Sequence, residues 1–364
     1  MCPTGALSME ASENGLFKIE CDDSLCVGCL KCEDVCPAKD LTSSVLTDEE
    51  WTKVSSSFLA FSKNSNARFS SSSGGVVRTL IRLSLEKEIV DYVYCAVKTN
   101  HFPFAKGGYL QKGSDLSVIV NSTYMSFPLL LDCKLLSPGT KLLAVGTNCQ
   151  LLAFDRFYEN SNIELTKIAL FCKQQKHIGY TQYLHKTLNK SFLSIKQLSY
   201  RGEGWPGLSR IENASVNYAR FAALPFGKRL WNVPACSVCS NALATSADIS
   251  IGDPWEIVTE EEARGGMSLC VVLSEQGDSL VKAAYSDLSF KLIDLNLVKK
   301  SIGWTQLKKR VHTIPARIHQ SRNLRSKIRV FLFDMQCCVL EHLLSRVTLS
   351  QRFLRILSRV LPSE

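Results

Sequence analysis

Apolar and polar positions divide the chain into stretches of two kinds. From Val76 to Leu85 apolar residues recur at helical spacing (Val77, Leu80, Ile81), and from Ile89 to Val97 they form a β-branched and aromatic run, which predicts a helix followed by a strand. Further strands are expected at Leu116 to Val120, Lys141 to Val145, Leu165 to Phe171, Asp248 to Ile251 and Ser268 to Leu273, and helices around Leu151 to Tyr158 and Ser279 to Tyr285. Strands alternating with helices predict an α/β body with a mainly parallel or mixed sheet. The turn Ser70-Ser-Ser-Ser-Gly-Gly75 precedes the first helix, and the body is expected to begin near it, after a polar, acidic connection from Leu41 to Ser57. From Asn323 to Leu361 the chain becomes leucine-rich and amphipathic, with Phe353, Leu357 and Val360 on one helical face and Arg352, Arg355 and Arg359 beside them.

Composition adds a compartment and a charged end. With 364 residues, 45% of them hydrophobic and 21% charged, the chain is long enough for one large α/β domain plus a small module. Its first twenty residues lack a basic region followed by an apolar core, and no run of about 18 apolar residues occurs. Fifteen cysteines in such a chain suggest metal ligation in a reducing compartment rather than a disulfide framework, so the expected localisation is cytoplasmic. The net charge of +9 is concentrated in residues 301 to 364, where 12 Lys or Arg face 3 Asp or Glu. No nucleic-acid motif accompanies this excess. The tail has two readings, packing onto the body or a partner subunit, or lying peripherally on an anionic membrane surface.

The sharpest chemical signal is Cys26-Val-Gly-Cys29-Leu-Lys-Cys32-Glu-Asp-Val-Cys36-Pro37, the C-x2-C-x2-C-x3-C-P run of ferredoxin-type 4Fe-4S loops. A zinc site would more often pair two separate C-x2-C units. In two-cluster modules the fourth cysteine of each run serves the other cube, so Cys26, Cys29 and Cys32 take Cys2, of Cys2-Pro3, as their fourth ligand. Cys36 would serve a second cube whose other ligands lie upstream of Met1. This reads as a ferredoxin-like module over residues 1–40, N-terminally truncated; the alternative is that one cluster was lost. Cys21 fits no ligand spacing and is read as a bystander.

A second set of thiols lies in the body. Cys236-Ser-Val-Cys239 is a C-x2-C knuckle, while Cys149 follows the run Leu142 to Val145 and Cys172 ends the run Ile168 to Phe171. The carboxyl ends of parallel strands form one functional edge, so both strand-end thiols would open onto one crevice with the knuckle. Cys95, Cys133, Cys270, Cys337 and Cys338 sit in apolar runs and read as buried core residues, and none of the six histidines forms a metal-like pair, His177 included. No GxGxxG follows a strand, so a Rossmann dinucleotide site has no motif support.

Five segments, Ser73-Gly-Gly-Val-Val77, Gly146-Thr-Asn-Cys-Gln150, Tyr200-Arg-Gly-Glu-Gly-Trp-Pro-Gly207, Cys236-Ser-Val-Cys239 and Ala247-Asp-Ile-Ser-Ile-Gly-Asp-Pro-Trp255, together resemble the beta-subunit family of coenzyme F-420 hydrogenases and dehydrogenases, with a ferredoxin module in front. The resemblance spans Met1 to about Leu297, which implies a body over residues 41–300 and a basic amphipathic helical tail over 301–364. It implies that the body binds a flavin, FAD, and a 4Fe-4S cluster held by Cys149, Cys172, Cys236 and Cys239. Asn148 stands where the family commonly has proline, which alters the loop and not the ligand. Ser73, Gly74 and Gly75 are then a turn that offers backbone N–H groups and a helix start to the flavin pyrophosphate. Arg201, Gly202, Gly204 and Trp205 are a loop beside the flavin, with Arg201 available to an anionic group. Asp253 is a polar group near the active site.

The function expected on this basis is that of an iron–sulfur flavoprotein oxidoreductase. Electrons from a ferredoxin or other donor, or from reduced coenzyme F-420, pass through two 4Fe-4S clusters, or three if upstream ligands exist, and a flavin that acts on an unidentified small molecule. Family relatives include reductases of chlorophyll intermediates and proteins encoded with glycan-synthesis enzymes, so a glycan-related substrate is one expectation. No catalytic residue is assigned. Two alternatives remain at this level: a non-catalytic electron-transfer subunit of a larger redox complex, and a scaffold whose clusters are structural.

Overall fold

The computed structural model describes residues 2–12, 16–37, 48–190, 197–239, 241–311, 314–317, 324–347, 356, 357 and 360. The N-terminal module is a two-stranded antiparallel ribbon, β1 (Leu7–Ala11) with β2 (Phe17–Cys21). It leads into the cysteine loop and a single helical turn, α1 (Lys31–Asp34). Among the module residues whose exposure is described, only Ala6 is buried. A module with so little apolar core depends on metal ligation to hold its shape.

The body begins at β3 (Ser56–Ser62), well before the glycine turn at which the sequence pattern places its start. The segment SSFLAFS has serines at both ends, which makes it look like linker. Yet Ser57 is buried and donates to the Ile293 carbonyl at 2.9 Å, and the preceding 3-10 turn, Asp48–Lys53, buries Trp51. After β3 come α2 (Ser65–Ser70), α3 (Val76–Glu86), β4 (Tyr92–Lys98), β5 (Ala105–Leu110), β6 (Lys141–Thr147), α4 (Asn148–Tyr158), β7 (Glu164–Leu170) and α5 (Ile178–Thr187). A small antiparallel sheet follows, β8 (Leu198–Ser199), β9 (Leu208–Ile211) and β10 (Ala214–Asn217). It is succeeded by α6 (Tyr218–Gly227), β11 (Ile249–Gly252), β12 (Ser268–Val272), α7 (Glu275–Ala283) and β13 (Leu288–Leu292).

The large sheet has eight strands in the order β13-β3-β12-β11-β7-β6-β4-β5. Its four central strands, β11, β7, β6 and β4, are parallel, and the others are antiparallel to their neighbours. The sheet is therefore mixed, and the predicted α/β body is present. Central strands such as β6 read as unbroken apolar runs because both faces are covered: Leu143 and Val145 join the core under α3 and α7, while Leu142 and Ala144 join Leu151 and Phe154 of α4. The strand expected at Leu116 to Val120 is instead a 3-10 turn, Leu116–Val118, followed by an isolated bridge between Val97 and Ile119. The Asp115 carboxylate accepts from the Ser117 N–H and turns the chain before a strand can extend.

Among the described residues β13 is followed by α8 (Leu295–Ile302), α9 (Trp304–Val311), α10 (Ile314–Arg317) and α11 (Leu324–Arg346). The tail packs on the body through Phe333, Leu340 and Leu344, and the Glu341 carboxylate accepts from the Trp231 N–H. Leu357 packs against the aromatic core and Val360 is exposed, while Arg352, Phe353, Arg355 and Arg359, like the linker residues 41–47, lie outside the described residues. Among the described residues no helix is long and apolar enough to cross a membrane.

Candidate iron–sulfur and cofactor site

Register explains how distant cysteines meet. β6 and β7 pair in parallel with Thr147 opposite Leu170, and β7 pairs with β11 with Leu170 opposite Ile251. Two residues beyond these row-mates stand Cys149, Cys172 and Asp253, so three adjacent strands deliver them to the same height on the carboxyl edge of the sheet. The Cys149 loop is fixed by a capping box: Gln150 accepts from the Thr147 N–H at 2.9 Å, and the Thr147 hydroxyl lies 3.3 Å from the Cys149 sulfur.

The knuckle is held beside the Cys172 segment on both of its flanks, the Val233 N–H donating to Gln175 O at 2.9 Å and the Cys172 N–H to Ala242 O at 3.2 Å. The Gln175 N–H donates to the Cys236 sulfur at 3.3 Å, and Arg229 and Arg310 both donate to the Cys236 carbonyl. The result is that Cys172 lies within electrostatic reach of Cys236, Cys149 and Cys239. Burial, and then these neighbours, push the Cys172 thiol well up, and burial raises Cys149 and lifts Cys236 to about 11. Four half-buried soft donors brought near one another suit a metal that binds thiolates and offsets their mutual repulsion. No three His, Cys, Asp or Glu among the described residues are gathered closely enough for a single ion. A cube with one thiolate at each iron corner spaces its ligands more widely than one tetrahedral ion does. The donor set thus fits a 4Fe-4S cluster.

In the N-terminal module, Cys26, Cys29 and Cys32 are exposed on one loop, with Cys2 and Cys36 half-buried. Cys21, read from spacing as a bystander, lies beside Cys26 and within electrostatic reach of Cys2. Its position at the end of β2 brings it there, a through-space contact that ligand spacing does not reveal. The Arg156 guanidinium donates to the Cys36 carbonyl at 2.5 Å. Arg156 lies about two turns along α4 from Cys149, so one helix joins the module to the inner thiols. A stacked pair, Phe17 with Phe102 at 6.1 Å, makes a second contact.

Next to Cys172 a cavity of about 610 Å³ opens along the same sheet edge, lined by Ser73, Gly75, Arg78, Lys173, Arg201 and Asp253 among others. Gly75 precedes α3 in the left-handed region at φ 74°, which aims the first turn of that helix at the cavity. A Cβ there would stand 2.7 Å from the Ala67 carbonyl oxygen. Gly75→Ala is expected to lower stability by about 1–2 kcal/mol for the left-handed backbone alone, with the clash adding to it; the urea midpoint of the purified chain reads the change. Gly74 lies behind this wall, because a Cβ would meet Ala60 O at 2.5 Å. A cavity of this size, with orphan helix N–H groups at one end and an apolar interior, fits a flavin nucleotide.

Arg201 lines the cavity but is 1% exposed, and its guanidinium is engaged. It pairs with both oxygens of Asp253 at 2.5 and 3.0 Å, donates to Pro206 O at 3.0 Å, and lies over the Tyr218 ring at 4.6 Å. Burial opposes its charge, but Asp253 and nearby phenols outweigh that and hold its pKa up. Trp205 donates from Nε1 to Asp253 at 3.0 Å. Gly202 and Gly204 pack the loop against residues 69–72, with the Gly204 N–H donating to Phe69 O at 2.9 Å. The segment expected beside the flavin thus clamps Asp253 and the Ser70 turn to each other.

Two lysines escaped the sequence reading. Lys176 is fully buried and donates to Gln174 Oε1, Pro225 O and Leu230 O at 2.6 to 3.0 Å, with burial depressing its pKa well below the usual range. Lys173 lines the cavity and is exposed to solvent along part of its length, and desolvation of its ammonium lowers its pKa. Nothing in Cys172-Lys-Gln-Gln-Lys-His177 distinguishes them from a solvated loop.

Comparison with known proteins gives three family matches: a 4Fe-4S dicluster domain over residues 1–39, and the N-terminal and C-terminal parts of the coenzyme F420 hydrogenase/dehydrogenase beta subunit over 57–116 and 139–296. No curated protein matches. Among solved structures, a chain in a xenon-derivatised F420-reducing [NiFe] hydrogenase complex from Methanosarcina barkeri superposes with a TM-score of 0.55 at 18% identity, covering 74% of this chain and 94% of that one. At that identity the likeness establishes the fold.

Proposed function

The chain belongs to the coenzyme F420 hydrogenase/dehydrogenase beta-subunit family and carries a 4Fe-4S dicluster module, and from that premise we propose that it is an iron–sulfur flavoenzyme which exchanges electrons between the module and a flavin in the sheet-edge cavity. The observation that carries this is continuity: Cys36 is tied to α4, α4 begins beside Cys149, Cys149 joins Cys172 and the knuckle, and Cys172 lines the cavity. Cys2, Cys26, Cys29 and Cys32 would hold one cluster, and Cys149, Cys172, Cys236 and Cys239 the other. When bound, the clusters supply one-electron carriers and FAD the capacity to collect two electrons for hydride chemistry.

The chain's own groups set the conditions for that chemistry. Ser73, Gly75 and the first turn of α3 would receive the pyrophosphate. Gly74, Gly202, Gly204 and Trp205 hold the receiving turns in place, and the Arg201–Asp253 pair fixes the far wall with its charges balanced. The Lys173 ammonium in the mouth of the cavity favours an anionic reactant there, a deazaflavin such as coenzyme F-420 or an acidic, glycan-related small molecule.

Cys26→Ala, which disables the outer ligand set, separates entry from chemistry. Reduction of bound flavin by a ferredoxin-type one-electron donor is expected to fall by at least about a hundredfold, while reduction by a hydride donor persists, as stopped-flow absorbance would show. A chain that holds iron but retains no flavin would instead be an electron-transfer subunit of a larger complex.

A further inference from the structure

Helix α11 is apolar on two opposite faces, and the body covers only one. Phe333, Leu340 and Leu344 turn inward. Leu324 (69% exposed), Ile328, Phe331 (66%), Met335, Val339 and Leu343 lie in solvent. At 100° per residue these six fall within an arc of about 120° whose centre is about 140° round the helix from the packed face, a stripe about 28 Å long. A helix with apolar residues all round is one whose outer face also has something to cover it.

Charge selects the cover. Exposed Arg325 and Arg329 border the stripe on one side and Lys327 on the other, with Arg346 at its far end. The two acids of the helix are occupied: Asp334 accepts from Arg317 at 3.0 Å and Glu341 from the Trp231 N–H. A second copy would therefore bring basic borders against basic borders, and the exposed carboxylate of α11, Asp334, is already engaged by Arg317. A flat anionic surface meets both borders at once, and the stripe lies on the side of α11 turned from the body.

We propose that α11 docks the protein on an anionic lipid bilayer, its apolar stripe lying among the headgroups and Arg325, Lys327 and Arg329 on the phosphates. The body then stands on the membrane with its redox machinery intact, an arrangement independent of the flavin assignment. The tail sequence beyond α11 contributes three more arginines and one acid, Glu364.

The test is flotation of the anaerobically purified full chain with vesicles of equal parts phosphatidylcholine and phosphatidylglycerol, against phosphatidylcholine alone. Binding is expected to the anionic vesicles and to weaken with added salt. Arg325→Glu/Lys327→Glu/Arg329→Glu should weaken it on the order of a hundredfold, at about fivefold or more per charge, and Phe331→Ser/Met335→Ser by about tenfold or more. All these positions are exposed, so iron content and the circular dichroism spectrum should be unchanged. Equal binding to both vesicle types, or no binding by the wild-type chain, overturns the proposal. A concentration-dependent dimer abolished by Phe331→Ser/Met335→Ser, without vesicle binding, would assign the stripe to a second copy instead.

Discussion

Cys172→Ala is expected to remove about four of about eight irons per chain and to abolish electron flow between the N-terminal module and the cavity, leaving the module's own cluster signal in place. Cys172 is the pivot of the inner set. It ends the β7 segment, lines the cavity, and is electrostatically coupled to the other three thiols. Removing one ligand leaves three thiols that cannot complete a cube. The fold should survive, because Cys172 lies beyond the last residue of β7 and belongs to none of the apolar cores. Iron analysis and low-temperature electron paramagnetic resonance of the reduced variant give both readouts. Loss of folding with electron flow preserved in the surviving protein would mark the inner cluster as structural.

Arg201→Met is expected to lower stability by about 3–5 kcal/mol, because it strands a largely buried carboxylate that loses two charge-assisted hydrogen bonds. Arg201→Met/Asp253→Leu should recover much of the loss, since removing both charges removes the stranded one. The double variant also deletes the partner of Trp205 Nε1, so recovery should be incomplete. The turn at Ser70 is tied to this clamp through Asn121, which donates to Ser70 O at 2.7 Å and to Arg201 O at 3.4 Å. Flavin retention should therefore fall in the single variant more than its stability alone implies. Urea unfolding at fixed flavin concentration measures the first effect, and flavin released on dilution the second.

The legible parts of the sequence were those where local pattern and tertiary role agree. The long apolar runs of β4, β6, β7, β11 and β12 announce buried central strands, and the α3 pattern announces a helix packed on one face. The cysteine run of the module is a covalent spacing rule, and spacing is directly visible in a sequence. β3 was not legible because its serines are satisfied inside the core by tertiary partners, Ser57 by the Ile293 carbonyl and Ser62 by the Thr79 hydroxyl. The 3-10 turn at Leu116–Val118 was missed because a single Asp115 hydrogen bond outweighs a short β-branched run. Lys176 and the pairing of Arg201 with Asp253 are products of tertiary burial, which no local pattern encodes.

The central claim, that electrons travel between two clusters and a flavin within this chain, is tested most directly by iron, acid-labile sulfide and flavin content after strictly anaerobic purification. About eight irons, about eight sulfides and about one FAD per chain are expected. About four irons without flavin would contradict it, since either the thiols at the sheet edge or those of the module would then hold no cluster and the cavity no flavin.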